Sequence, residues 1–265
     1  MENNQLKIAA TQMASVPGDF MKNREIISKF VEKASLLGAD IIITPELSNV
    51  GYDLTILRNI GYNFQEEISY YKELASIYKI TLLAGLLEES DGTLYNSLFV
   101  FNPNGEIKTV YRKINLFPLS KESEVFQHGT KPVTITVGDF KIGLSICYDI
   151  RFPELFKAYA EEDCQALIVS SAFPFPRLEH WQTLLKAHAI MNQSWVIASN
   201  RIGKDVGAPF LGHSCFIDPW GQVTSTFTDK EEDILIDTID LARVQEVRKK
   251  ICAFSDRKEY YGKVN

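Results

Sequence analysis

The feature that most constrains this chain is a recurring pair: a short, uninterrupted apolar run, then a segment with helical spacing. LKIAATQM begins at Leu6 as a buried strand, and from about Phe20 to Leu37 the apolar set Ile26, Ile27, Phe30, Val31 and Ala34 recurs at the period of a helix. ADIIITPE follows as a second strand, from Ala39 to Thr44, then a helix near Gln65 to Tyr78 and a strand at ITLLAGLL. Strands that are apolar throughout have both faces covered, so the chain reads as α/β with helices over its sheets.

The rhythm then changes. YNSLFVFNPNGEIKTVYRK holds two strand-like runs divided by Asn102-Pro103-Asn104-Gly105, a tight-turn signal that predicts an antiparallel hairpin and hence a mixed sheet. KPVTITVG, FKIGLSIC, a helix near Pro153 to Ala160, ALIVSSA, a helix from Glu179 to Gln193 and WVIASN resume the alternation, and FIDPWGQVTST repeats the hairpin design. The recurrence suggests two similar halves joined near Thr130, with no linker between them. One domain over residues 1–265 is expected, ending from about 241 in a short helix and an aromatic tail that docks on its own domain or on a neighbour.

Composition narrows the partners. A net charge of −6 gives no basic excess to attract phosphate backbones or anionic lipid, so neither nucleic acid nor a membrane is expected as a partner. The first residues lack a basic stretch followed by an apolar one, and no run of about 18 apolar residues occurs, so a cytoplasmic location is expected. Cys147, Cys164, Cys215 and Cys252 show no metal or redox pairing; each is weighed singly, and Cys164, Cys215 and Cys252 are expected as core thiols. His128, His180 and His213 lack ligand spacing, so no metal is implied; Trp181, Trp195 and Trp220 are expected to pack.

Three residues stand where chemistry is plausible. Cys147 closes the strand KIGLSIC and precedes YDIRFPE, a strand-to-helix transition with Pro153 at a first helical position. A thiol at a sheet's carboxyl edge, near a helix amino end, would have a lowered pKa; the alternative is a small core cysteine. Glu46 leaves a buried strand after Pro45 and reads as a general base whose pKa burial would raise, or as an ordinary strand-end acid. Lys113 ends TVYRK and carries an ammonium towards buried surface, where it would lower a thiol pKa and stabilise an oxyanion, while its neighbour Arg112 points outward.

With their surrounding words TPEL, YRKINLF and ICYDIRFPEL, these residues resemble the nitrilase superfamily of carbon-nitrogen hydrolases. The likeness runs on in order through SSAFPFPR, HWQTLLKAHAIMNQSWVIASNRIG, GHSCFIDPWGQV and SDRKEYY. It implies a four-layer α-β-β-α sandwich, a Glu-Lys-Cys triad on Glu46, Lys113 and Cys147, and no cofactor. A fourth acid is implied seven residues before a glycine, which places it at Glu122 ahead of Gly129, with Glu124 the nearby competitor. The backbone amide of Tyr148 would share the oxyanion with Lys113.

Two departures stand out: Asn115 where relatives commonly carry histidine, and His188 and Met191 where many carry arginine and glutamate. KINLFPLS, CYDIRFPEL and GHS with DPWG look most like the ω-amidase branch, which hydrolyses the terminal amide of short dicarboxylate monoamides such as 2-oxoglutaramate. Such a substrate needs a cationic anchor. Arg151 is the first candidate, with an ion pair to Glu154 or Asp149 as its structural alternative, and Arg177 is in reserve. Tyr52 and Phe173 would line the pocket. An N-carbamoyl hydrolase, and from another class a non-catalytic scaffold, are the competing readings; a homodimer or larger assembly is also implied, with the Pro153 to Ala160 helix and the tail among its contacts.

Overall fold

The computed structural model describes residues 4–57, 60–205, 207 and 209–256. Its strands are β1 (Gln5–Gln12), β2 (Ile41–Ile43), β3 (Thr81–Ser90), β4 (Thr93–Phe101), β5 (Ile107–Arg112), β6 (Thr134–Val137), β7 (Phe140–Ile146), β8 (Ala166–Ser171), β9 (Trp195–Asn200), β10 (Cys215–Ile217), β11 (Val223–Thr226) and β12 (Asp233–Asp240). Its α-helices are α1 (Phe20–Leu36), the single turn α2 (Leu54–Leu57), α3 (Phe64–Tyr78), α4 (Pro153–Glu161), α5 (Leu178–Asn192) and α6 (Leu241–Lys250). The strands form two six-stranded sheets, ordered β12-β1-β2-β3-β4-β5 and β11-β10-β9-β8-β7-β6.

The apolar runs are continuous because both faces of each sheet are covered. In the first sheet Ile8, Ala10, Ile41, Ile43, Leu83, Leu98 and Val100 join a core shared with the second sheet. Their alternates Ala9, Ile42, Leu82, Ala84, Phe99 and Phe101 pack with Ile27 and Val31 of α1 and Tyr71 and Leu74 of α3. Full burial of a large aliphatic or aromatic side chain is worth roughly 1.5–3 kcal/mol, so a strand that is apolar at every position stabilises two interfaces at once. With α4 and α5 on the far side of the second sheet, the order is α-β-β-α.

Each sheet has the same plan. Three parallel strands (β1, β2, β3 in one; β7, β8, β9 in the other) continue into an antiparallel pair (β4 and β5; β10 and β11). A further antiparallel strand closes the opposite edge of each, β12 beside β1 and β6 beside β7. The two halves are thus alike in topology, with the junction before β6, close to Thr130. The edge strand of the first sheet, DILIDTID, arrives only near the end of the described residues and carries no strong strand signal in its sequence.

The first hairpin turns as its residues dictate: Asn102 N donates to Glu106 O at 2.8 Å and Gly105 takes φ +82°. No helix among the described residues is long and apolar enough to cross a membrane. The aromatic end of the tail, from Arg257, lies outside the described residues.

Candidate active site

The turn that carries Glu46 is clamped onto β3. Thr44 N donates to Leu83 O at 2.9 Å, Gly85 N to Thr44 Oγ1 at 3.0 Å, and Ser48 N to Gly85 O at 2.7 Å. A side chain at position 85 has no room, since a Cβ there would sit 2.2 Å from Pro45 O. Leu47 then turns through a left-handed conformation, φ +49°. Glu46 is left fully buried, and three donors meet it: Asn96 Nδ2 at 2.7 Å and Lys113 Nζ at 2.7 Å on Oε1, and Ala172 N at 2.8 Å on Oε2. A buried carboxylate is tolerated only when supplied in this way.

Lys113 follows β5, its N–H donating to Asn96 O at 2.8 Å while its own carbonyl accepts from Gly129 N at 2.7 Å. Its ammonium lies between two carboxylates, Glu46 Oε1 at 2.7 Å and Glu122 Oε1 at 2.8 Å, all three side chains being 0% exposed. Burial lowers its pKa, but Glu122 and Glu46 outweigh burial and raise it, so it stays charged. Arg112 points the other way, paired with Glu88 and lying 3.8 Å over the Tyr95 ring.

Glu122 also accepts from Tyr52 Oη at 2.5 Å and from Phe117 N at 2.6 Å. Burial pushes its pKa up and Glu46 adds to this, against the pull of Lys113. Glu124 is exposed and pairs with Lys121 at 3.4 Å, so of the two acids it is Glu122 that reaches the cluster.

Cys147 stands where β7 ends, at φ +48°, an unfavourable conformation for a residue with a side chain. Asp149 braces the elbow, accepting from Ile146 N at 2.9 Å, Tyr111 Oη at 2.7 Å, and Asn115 N and Nδ2 at 3.0 and 2.9 Å. Asn115, the departure from the family pattern, therefore ties the lysine loop to the cysteine elbow. The lowered thiol pKa expected from the sequence is not found. Cys147 begins a five-residue 3₁₀ turn, α4 starts only at Pro153, and burial followed by Glu46 pushes the thiol pKa well up despite Lys113. Burial and the neighbouring Glu46 thus favour the neutral thiol over the thiolate.

Cys147 opens onto a cavity of about 240 Å³ whose walls include Tyr52, Phe117, Phe173, Arg151 and Arg177. The Arg151 ion pair to Glu154 or Asp149 left open by the sequence is absent among the described contacts, and Asp149 instead braces the elbow. Arg151 Nη2 instead lies 3.0 Å from His180 Nδ1, with its guanidinium 5.7 Å over Phe173 and 6.0 Å over Tyr148. Arg177 lies 5.4 Å over Phe117. Both cations rest on aromatic faces with donors still to offer.

Some expectations need correction. Cys164 and Cys215 are buried, but Cys252 is exposed, because the short helix that precedes it leaves the tail outside the core. Trp181 and Trp195 pack; Trp220 is 43% exposed at a hairpin tip, lying under Lys250. The sequence reading missed Asn96, Ala172 and Asp149. Asn96 had a signal, a lone amide within the apolar strand YNSLFVF; Ala172 acts through its backbone and had none.

The carbon-nitrogen hydrolase family model matches residues 7–249, and the chain belongs to that family. It is 36% identical to a 2-oxoglutaramate amidase from Bacillus subtilis (strain 168), over 92% of this chain and 94% of that one. An omega-amidase from Mus musculus is 34% identical over 95% and 94%. The crystal structure of a carbon-nitrogen hydrolase from Helicobacter pylori G27 superposes with TM-score 0.90 at 27% identity, covering 98% of each chain.

Proposed function

We propose that this protein is a thiol ω-amidase that hydrolyses the terminal amide of a short dicarboxylate monoamide such as 2-oxoglutaramate, releasing ammonia. The observation that carries the reading is the placing of Cys147 between a buried Glu46–Lys113–Glu122 cluster and a small cavity bearing two guanidiniums. The cluster supplies the chemistry and the guanidiniums a place for the distal carboxylate. The names of the Bacillus and mouse relatives point to the same substrate class.

Since burial and Glu46 favour the neutral thiol, reaction begins when Glu46 takes the Cys147 proton and the thiolate attacks the amide carbon. The developing oxyanion is met by the Lys113 ammonium and the Tyr148 backbone N–H. Glu46 returns the proton to the amide nitrogen, the C–N bond breaks, and ammonia leaves a thioester on Cys147. Glu46 then activates water, which attacks the thioester to give the carboxylic acid and restore the thiol. Glu122 holds the lysine in register and, through Tyr52, ties it to the cavity wall.

The chain acts as one domain in this account, since the base and lysine follow strands of one sheet and the thiol follows a strand of the other. A cytoplasmic setting, in keeping with its free cysteines, and a homodimer or larger assembly complete the proposal. Ammonia release measured across ω-amides and N-carbamoyl compounds of graded length tests it. Ammonia from 2-oxoglutaramate without carbon dioxide is the expected result; equimolar carbon dioxide, or turnover of carbamoyl compounds alone, would reject it.

A further inference from the structure

The mechanism asks for a thiolate in a place that disfavours one. Burial and the adjacent Glu46 both oppose ionisation of Cys147, and Lys113 is shared between two carboxylates before it offers anything to sulfur. A second donor to the sulfur would resolve this, and one side chain is placed to be that donor.

Ser171 ends β8, the parallel neighbour of β7. The pairing runs Ile142 with Ala166 through to Ile146 with Ser170, so Cys147, the first residue past β7, and Ser171, the last of β8, each follow a paired neighbour at the same edge of the sheet. Neighbouring strands lie about 4.8 Å apart, within reach of two short side chains at one level. The Ser171 side chain is fully buried, and its hydroxyl makes no hydrogen bond of full geometry, although buried hydroxyls are nearly always paired. Ser170 and Ser199, also at strand ends, donate to Thr44 O at 2.8 Å and Thr11 O at 2.6 Å. Ser171 alone of these three holds its hydroxyl in reserve, and the next residue along, Ala172, gives its N–H to Glu46.

We infer that Ser171 is a further catalytic residue, whose hydroxyl donates a hydrogen bond to the Cys147 sulfur as Glu46 removes its proton. The inference rests on the thiol mechanism above. The same hydroxyl is among the groups that favour the ionised sulfur, beside Lys113. Against a thiol the donor is idle; against a thiolate it is charge-assisted and strong. When the S–C bond forms, the charge moves to oxygen and the hydroxyl is released, so the bond is made chiefly in the ionised state, where it lowers the barrier.

The test is alkylation of Cys147 by iodoacetamide, followed by mass spectrometry as a function of pH, on the wild type, Ser171→Ala and Ser171→Thr. Ser171→Ala deletes an oxygen that makes no hydrogen bond of full geometry, so its thermal midpoint should be no lower than wild type. Its alkylation profile should move up by about one pH unit and its kcat on 2-oxoglutaramate should fall about tenfold. Ser171→Thr, which keeps the hydroxyl, should restore the profile. A wild-type profile in Ser171→Ala overturns the inference and leaves the thiol mechanism standing. Failure of the wild type to alkylate at Cys147 at any pH removes the mechanism and this inference with it.

Discussion

The two halves share a plan but not a chemistry. At the carboxyl ends of the first sheet the chain has placed charge: Glu46 after β2, Lys113 after β5, and Glu122 shortly beyond. At the corresponding end of the second sheet it has placed a neutral thiol on an elbow braced from below by Asp149. The halves meet where Ala172 N bonds Glu46 and where Asn115 and Tyr111 bond Asp149. The lesson concerns cost. The charged side hangs on one ammonium shared by two acids, so removing Lys113 leaves both buried without a cation, whereas the thiol side can lose its sulfur with little effect on the fold.

The sharpest way to break this comparison is Lys113→Met. It leaves Glu46 and Glu122 buried without a cation, so stability should fall by about 3–5 kcal/mol, roughly 10 °C in Tm, together with loss of turnover. Calorimetry and ammonia release would show both. An unchanged Tm would mean that Lys113 is not what holds the two buried acids.

Gly85→Ala tests the clamp on the base. Its methyl group would force Pro45 aside, and displacing the neighbouring carboxylate by about 1 Å should lower kcat about 100-fold. The matching change in the other half, Gly143→Ala, presses instead on the Tyr159 ring of α4, 2.5 Å away. It should cost stability first, as read from unfolding midpoints.

Arg151→Gln separates binding from chemistry. KM for 2-oxoglutaramate should rise about 10- to 100-fold with kcat little changed, and turnover of an uncharged amide should be unaffected. Equal losses on both substrates would make Arg151 structural, and Arg177 would become the anchor.

His188 gives the smallest effect. Its Nε2 bonds Ile150 O at 2.8 Å while Nδ1 is buried without a partner, and the ring stacks on Phe156 at 3.7 Å. Burial lowers its pKa. The unfolded chain therefore binds the proton first as pH falls below about 6.5, and stability must drop there, by at most about 1.4 kcal/mol per pH unit. Urea midpoints at pH 7.5 and 5.5 should differ less in His188→Asn than in the wild type.

How far the sequence spoke follows from the same contrast. Strands with both faces covered announced themselves as continuous apolar runs, and the NPNG hairpin carried its own turn residues. Glu46, Lys113 and Cys147 were visible because each breaks or ends such a run. What stayed hidden depends on long-range pairing. DILIDTID became an edge strand only by finding β1 more than 200 residues away, and Ala172 touches Glu46 through a backbone N–H that any residue but proline would supply. The thiol pKa was misjudged for a related reason: the local strand-to-helix pattern was legible, but burial and the carboxylate that faces the sulfur come from elsewhere in the chain.

The division of labour between the halves is tested most directly by Cys147→Ala, with ammonia release from 2-oxoglutaramate and thermal unfolding measured on one preparation. The account expects no ammonia above the uncatalysed rate and a Tm at or above that of the wild type, since a buried side chain at φ +48° is exchanged for a smaller one. Residual turnover in a folded Cys147→Ala protein would contradict it.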